Sequence, residues 1–228
     1  MNDARTLQED GVEWPTLGMI VLTFAIWAAG ISVIYAASPV LGIVVTALAI
    51  AQQSSLQHEA LHGHPFRNRL LNEILATPSL CLTVPYGRFR DTHLAHHHDP
   101  ILTDPYDDPE SNYLDAKVWQ RLPGLARGVL WLNNTLLGRI VIGSVIGNYF
   151  WLVAEAKLIL AGNRPVQRDW ALHLIGLLPV IAAVWAAGMG AGAYLLAVWI
   201  GHGLLKIRTY LEHRAHELAR ARTAIVED

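Results

Sequence analysis

Two long stretches without a charged side chain dominate the pattern of polar and apolar positions along the chain. The first covers 43 residues from Pro15 to Gln57, and the second covers 36 residues from Trp170 to Leu205. About 20 apolar residues of helix cross the hydrocarbon core of a bilayer, so each stretch is long enough to cross and return. The pattern predicts an all-α integral membrane protein with four transmembrane helices arranged as two hairpins.

The hairpin turns are predicted where glycine or proline interrupts the helical pattern, because these residues most often break a helix. Ser38-Pro39 interrupts the first stretch, and the glycine-rich run 188–192 interrupts the second. The predicted spans are residues 17–36, 40–57, 170–187 and 193–205. Two shorter apolar stretches, Ile74 to Gly87 and Ile140 to Ala154, are interpreted as too short to cross and as interfacial or buried under the polar part of the protein.

Composition and charge agree with a membrane protein and predict its orientation. The chain is 53% hydrophobic and 16% charged, whereas soluble domains carry about 25% charged residues. All 17 Lys and Arg lie outside the two hairpins, 11 of them between the hairpins. The positive-inside rule then predicts a multi-pass protein with both termini and a helical cap, formed by the central segment, in the cytoplasm. The net charge of -2 argues against a nucleic-acid partner, and the lone Cys81 excludes an internal disulfide.

Histidines are concentrated in two groups whose spacing matches the turn of a helix. His58 and His62 are four positions apart, and His93, His96 and His97 follow an i, i+3, i+4 pattern. Each group would share one helix face, and imidazole is a common ligand of transition metals. Five such ligands exceed the four of a tetrahedral zinc site, which favours two metal ions.

The remaining histidines lack this spacing. His64, His98, His173 and His216 are interpreted as solvated polar residues. The interpretation of His202 stays open, because it precedes His213 by 11 residues, or three helical turns, and would face the same way.

The residues around the histidines resemble the membrane fatty acid desaturase and hydroxylase superfamily. The matching segments are HEALHGH at His58 to His64, VPYGRFRDTHLAHH at Val84 to His97, LTDPYDDPES at Leu102 to Ser111 and KIRTYLEHR at Lys206 to Arg214. The first two correspond to the HxxxH and HxxHH histidine boxes of that superfamily, and the last to a segment that contributes one more ligand. The resemblance implies that the metal ligands include His58, His62, His93, His96, His97 and His213.

The resemblance also implies an activity. Enzymes of this superfamily hold two non-haem iron ions, use O2 and remove hydrogen from a lipid acyl chain to leave a double bond. Lipid or carotenoid hydroxylases and ketolases of the same superfamily are the alternative. The chain has no GxGxxG dinucleotide motif, so the electrons are expected from an external donor such as a ferredoxin, a rubredoxin or a cytochrome.

One departure concerns the third HxxHH box of the superfamily, which does not occur before Asp228. We expect residues 1–228 to form a single membrane desaturase-like domain that is truncated at its C-terminus. The alternative is a degenerate third box at His213 to His216.

Charged residues near the boxes have candidate supporting roles. Metal-bound imidazoles commonly donate their second N–H to a carboxylate, and the candidates are Glu59, Asp91, Asp104, Asp107, Asp108 and Glu110. The aspartate-rich stretch is equally compatible with a solvated turn. Arg88 and Arg90 either bind an anionic headgroup or thioester, or follow the positive-inside bias.

A rival function comes from the first histidine group alone. The segment His58 to His62 also fits HExxH, the motif of zinc peptidases in which Glu59 would be the general base. A peptidase needs only one more ligand, whereas the segment HLAHHH at His93 to His98 offers four histidines. A metal transporter is disfavoured, because transport sites need polar groups inside the spans.

Overall fold

The computed structural model of the protein describes residues 11–97 and 114–212, except for the side chains of residues 96, 97 and 208–212. Over these residues the structure is all-helical, apart from turns and one isolated β-bridge between Val12 and Phe66. The helices are α1 (Trp14–Ala37), α2 (Pro39–Leu61), α3 (Arg69–Ala76), α4 (Tyr86–His97), α5 (Ala116–Arg121), α6 (Gly124–Asn133), α7 (Leu136–Leu160), α8 (Arg164–Ala186) and α9 (Ala191–Glu212).

The first break in the helical pattern lies where the sequence predicts it. Ser38 has an extended backbone, and its hydroxyl accepts a hydrogen bond from the N–H of Leu41 at 3.4 Å. Pro39 then begins α2, a position that requires no backbone N–H. Gly42 allows α1 and α2 to approach closely, because a Cβ at Gly42 would lie 2.5 Å from the Cα of Tyr35.

Among the described residues, four helices are long and apolar enough to cross a membrane, namely α1, α2, α7 and α8. The all-α class with four candidate spans is therefore confirmed, and one of these four helices, α7, is not among the predicted spans. We expected Ile140 to Ala154 to be too short, whereas α7 is 25 residues long because it continues through Arg139 and Glu155. The predicted span 193–205 lies in α9, of which the part Ala191–Ile207 is an apolar helix.

The core lies around α2, which packs between α1 and α9. Ile50 and Ala47 of α2 and Ala197 of α9 are completely buried. Gly201 of α9 lies so close to α2 that a Cβ there would be 2.9 Å from Cγ2 of Ile50. The shorter helix α4 packs against α2, α3 and α8.

A non-helical segment, Thr77 to Pro85, runs from α3 into the core and then leads to α4. Leu80 is completely buried, and Cys81 is 4% exposed. The hydroxyl of Tyr194 in α9 donates a hydrogen bond to the carbonyl of Leu80 at 2.8 Å. Irregular backbone among membrane helices is tolerated only where protein groups satisfy its polar atoms, so side chains from the surrounding helices fix the entry to α4.

Candidate metal centre

The first histidine group lies at the end of α2. This helix continues to Leu61 and is capped by His62, so the i, i+4 spacing of His58 and His62 places both imidazoles on one face. Their ring centroids are 4.7 Å apart. His58 is 9% exposed, and His62 is partly exposed. The predicted pairing of these two side chains is present in the structure.

Helix α4 brings a third imidazole to this pair. The ring centroid of His93 lies 4.7 Å from that of His58 and 5.9 Å from that of His62. One ring nitrogen from each of the three residues lies within 4.8 Å of the others. Because His93 is 7% exposed, the group faces the protein interior, and Phe89 lies against His93 at 5.6 Å between centroids.

The orientation of His58 is set by its neighbour. Nδ1 of His58 lies 3.3 Å from Oε1 of Glu59. A carboxylate only accepts hydrogen bonds, so Nδ1–H is the donor and the lone pair of a neutral His58 is on Nε2. A carboxylate in this arrangement supports an imidazole that binds a metal through its other nitrogen.

The donor set fits a transition-metal ion. Imidazole nitrogens bind zinc at about 2.0–2.1 Å and also suit iron and copper. A cation in contact with three such nitrogens needs them within about 4 Å of one another, and the three nitrogens lie within 4.8 Å of one another, which is close to that spacing.

The other predicted ligands lie at the edge of the described structure or beyond it. Helix α4 continues to His97, so the helical backbone register predicted for His96 and His97 is present, although their side chains lie outside the described residues. The proposed ligand His213 is outside them as well. Further predicted residues that fall there are His98, Asp104, Asp107, Asp108, Glu110 and His216.

Two histidines that we expected to be solvated have defined structural partners. His64 lies 34% exposed at its side chain and contacts the carboxylate of Glu13, which joins the start of α1 to the loop after α2. His173 is only 2% exposed, and its Nε2–H donates to the carbonyl of Leu82 at 3.0 Å. The solvated interpretation of His173 is therefore wrong. The position of His173 inside a charge-free stretch indicates that it is buried, since a polar side chain there must be buried in protein.

His202 belongs to a separate polar cluster. It is 8% exposed, and its Nδ1 accepts a hydrogen bond from Nδ2 of Asn148 at 2.9 Å. Thr83 lies on the other side of the ring, with Oγ1 3.5 Å from Nε2 of His202 and 3.2 Å from Oδ1 of Asn148. His202 therefore connects α7, α9 and the segment before α4, and it is not part of the three-histidine group.

The two arginines before the second histidine box are both paired. Arg88 forms an ion pair with Glu155, and the hydrogen bonds between the two side chains raise the pKa of the Arg88 guanidinium. Arg90 forms ion pairs with Glu73 and Asp91, so the carboxylate of Asp91 is paired with an arginine. Burial raises the pKa of the neighbouring Tyr86 to about 12, so its hydroxyl is neutral at physiological pH. These contacts tie the start of α4 to the rest of the protein.

Comparison with known proteins adds one match. No curated protein and no solved structure matches the chain. A family model described as fatty acid desaturase matches residues 16–226, which include both histidine groups, α9 and the four candidate spans except for Trp14 and Pro15. The chain belongs to the fatty acid desaturase family.

Proposed function

We propose that the protein is a membrane-bound, O2-dependent lipid desaturase that uses two histidine-ligated iron ions to remove hydrogen from an acyl chain. The observation that carries the proposal is the meeting of His58, His62 and His93, from two helices, with ring nitrogens within 4.8 Å. The spacing of His96 and His97 on α4 and the segment at His213 support them as further ligands.

The chemistry explains why a metal is needed. Side-chain acids and bases cannot abstract hydrogen from an unactivated CH2 group, and iron that activates O2 supplies the required oxidant. The protein's own residues hold and orient this centre. His58 and His62 offer nitrogens from α2, His93 offers one from α4, and Glu59 fixes the tautomer of His58. We propose an external donor, such as a ferredoxin, a rubredoxin or a cytochrome, as the source of electrons.

The position of the site favours a lipid substrate. His58 and His62 lie at the end of α2, directly after the apolar part of a candidate span. Large apolar side chains such as Val40, Leu41 and Leu48 are exposed along the same helix, as expected where a helix faces lipid. We propose that an acyl chain in the membrane reaches the histidines along this helix. We propose that both termini and the site are cytoplasmic, because Lys and Arg are absent from both hairpin tips.

The zinc-peptidase alternative has less support. In an HExxH peptidase the glutamate acts as general base on the metal-bound water, whereas Glu59 contacts Nδ1 of His58. The helix that supplies His93 also carries two more histidines, which a single zinc site does not need.

The test combines metal and product analysis. Purified protein is expected to contain about two iron ions per chain, whereas a peptidase would contain one zinc. Membranes that hold the protein are then supplied with O2, a reduced ferredoxin and lipids with saturated acyl chains. Loss of two hydrogens from the acyl chain, measured by mass spectrometry, supports desaturation. A gain of one oxygen identifies a hydroxylase, and an unchanged lipid with a zinc-loaded protein overturns the proposal.

A further inference from the structure

Glu155 of α7 is a buried carboxylate that contacts the helix of the second histidine group. The residue is 2% exposed. Arg88, in the first turn of α4, donates two hydrogen bonds to it, from Nε to Oε2 at 2.8 Å and from a terminal guanidinium nitrogen to Oε1 at 3.0 Å. Trp170 of α8 donates a third, from Nε1 to Oε2 at 2.9 Å. Because a two-point arginine contact fixes direction as well as distance, Glu155 joins α4 firmly to α7 and α8.

The same side of α4 carries a second acidic contact. Asp169 of α8 is 5% exposed, and its carboxylate lies against Gly87. A Cβ at Gly87 would be only 2.6 Å from Cγ of Asp169, so glycine is needed for this approach. Negative charge is favourable beside the first turn of a helix. Two buried carboxylates therefore hold the start of α4 from the α7–α8 side.

The opposite side of α4 has an apolar contact. Tyr86 is 5% exposed and packs near Ala60 of α2 and Ala76 of α3. The helix is otherwise rich in polar residues, since its sequence is YGRFRDTHLAHH. Its position against α2 is thus set by Tyr86 on one side and by the carboxylates of Glu155 and Asp169 on the other.

This position decides whether the three histidines meet. His93 follows Arg88 by five residues, which is about 7.5 Å along one helix, and it faces His58 and His62 across the gap between α4 and α2. A metal site requires its ligands to be held to within about 0.5 Å. A shift of α4 relative to α2 would therefore separate His93 from its partners.

We propose that Glu155, acting through Arg88, is a positioning residue for the metal centre. It holds α4 where His93 completes the group formed by His58 and His62. This inference rests on the proposed function, because it assigns the pair a role in metal binding. It also gives Arg88 a role different from headgroup binding, since its side chain is 13% exposed and already donates to Glu155.

Cobalt titration of the purified, metal-free chain tests this role. Co²⁺ alone is the probe, because imidazole nitrogens bind it and its visible absorption changes with the number and arrangement of its ligands. Glu155→Gln keeps the shape of the side chain and removes the charge. We expect at least tenfold weaker Co²⁺ binding and an altered spectrum at saturation, with helix content unchanged.

Two further variants sharpen the test. Arg88→Lys retains the positive charge and the fold but loses the two-point contact, so we expect weaker binding and an altered spectrum here as well. Glu13→Gln is the matched control. It removes a carboxylate from the contact with His64, which lies outside α4, and we expect wild-type Co²⁺ affinity. The double variant Arg88→Lys with Glu155→Gln should lose no more Co²⁺ affinity than the single variant that binds Co²⁺ more weakly, because both substitutions act through one contact.

The outcomes separate the two proposals. Wild-type affinity and spectrum in Glu155→Gln and Arg88→Lys would overturn the positioning role alone, provided that His62→Ala has lost Co²⁺ binding. Equal weakening in Glu13→Gln would also overturn it, by showing that any lost carboxylate contact has the same effect. If the wild-type chain binds no Co²⁺, or if His62→Ala binds it as the wild type does, the metal centre itself is absent and both proposals fail.

Discussion

Gln53 of α2 accepts a hydrogen bond from the backbone N–H of Leu80 at 3.1 Å, while its own amide N–H donates to the carbonyl of Pro78 at 2.6 Å. One side chain thus pairs the backbone on both sides of Ser79, which is completely buried. Buried backbone groups without a partner are costly. Since the non-helical segment Thr77 to Pro85 leads directly into α4, Gln53 helps to determine where His93 lies.

Gln53→Leu is therefore expected to destabilise the protein although it adds apolar surface to the core. The substitution leaves the N–H of Leu80 and the carbonyl of Pro78 buried without partners, and each such group costs about 1–3 kcal/mol. We expect a lower midpoint of unfolding in detergent, measured by circular dichroism or by thermal aggregation. Gln52→Leu is the matched control, because Gln52 is exposed on the same helix, and its midpoint should change little. Equal midpoints for the two variants would contradict this role of Gln53.

His62→Ala and His64→Ala are two positions apart but are expected to behave differently. His62 belongs to the three-histidine group, so its loss should remove iron and lower lipid oxidation by more than about 100-fold, beyond the 10–100-fold typical of supporting groups. His64 contacts Glu13, so His64→Ala should retain iron and measurable oxidation. Iron content by atomic emission and product analysis by mass spectrometry provide the measurements. A full iron content in His62→Ala would show that His62, the best-supported candidate ligand, does not bind iron.

The sequence predicts the three-histidine group better than it predicts the protein around it. Helical spacing is local, so the shared face of His58 and His62 follows from four residues of separation. The meeting with His93 depends on how α4 packs, and its motif spacing implies this only through family resemblance. The charge-free stretches coincide with the apolar helices α1, α2 and α8, but they do not reveal the length of α7, because that helix continues past Arg139 and Glu155. Glu155 tolerates burial there since Arg88 and Trp170 donate to it.

The buried polar network could not be read from residue patterns. Gln53, His173 and His202 are each polar residues in apolar surroundings, and nothing local shows that their partners are in the segment Thr77 to Pro85. Two prolines in that segment correctly indicate that it is not a span. Its hydrogen bonds come from helices up to 119 positions away, and contacts of that separation depend on tertiary packing.

Glu59→Gln distinguishes the two enzyme classes that share the HExxH pattern. In a desaturase Glu59 supports His58, so the variant should lose about 10–100-fold in iron affinity or activity. In a peptidase the same change removes the general base and abolishes hydrolysis, while zinc is retained. Metal content, lipid oxidation and peptide hydrolysis are measured on the same preparation. Glu13→Gln is the control for a lost carboxylate outside the site. Full zinc occupancy together with lost peptide hydrolysis would contradict the desaturase proposal.

Membrane orientation is tested by labelling single cysteines in intact cells. Lys and Arg are absent from the connection at Ser38 and from the turn near Gly190. For two hairpins formed by α1–α2 and α8–α9, with α7 not crossing the membrane, the positive-inside rule predicts that both positions face away from the cytoplasm. Ser38→Cys and Gly190→Cys are expected to react with a membrane-impermeant thiol reagent added outside, whereas Asp107→Cys should react only after the cells are opened. Native Cys81 is 4% exposed, so the unmodified chain provides the background. Labelling of Asp107→Cys from outside, at the level of Ser38→Cys, would reverse the orientation and place the three histidines on the other side of the membrane.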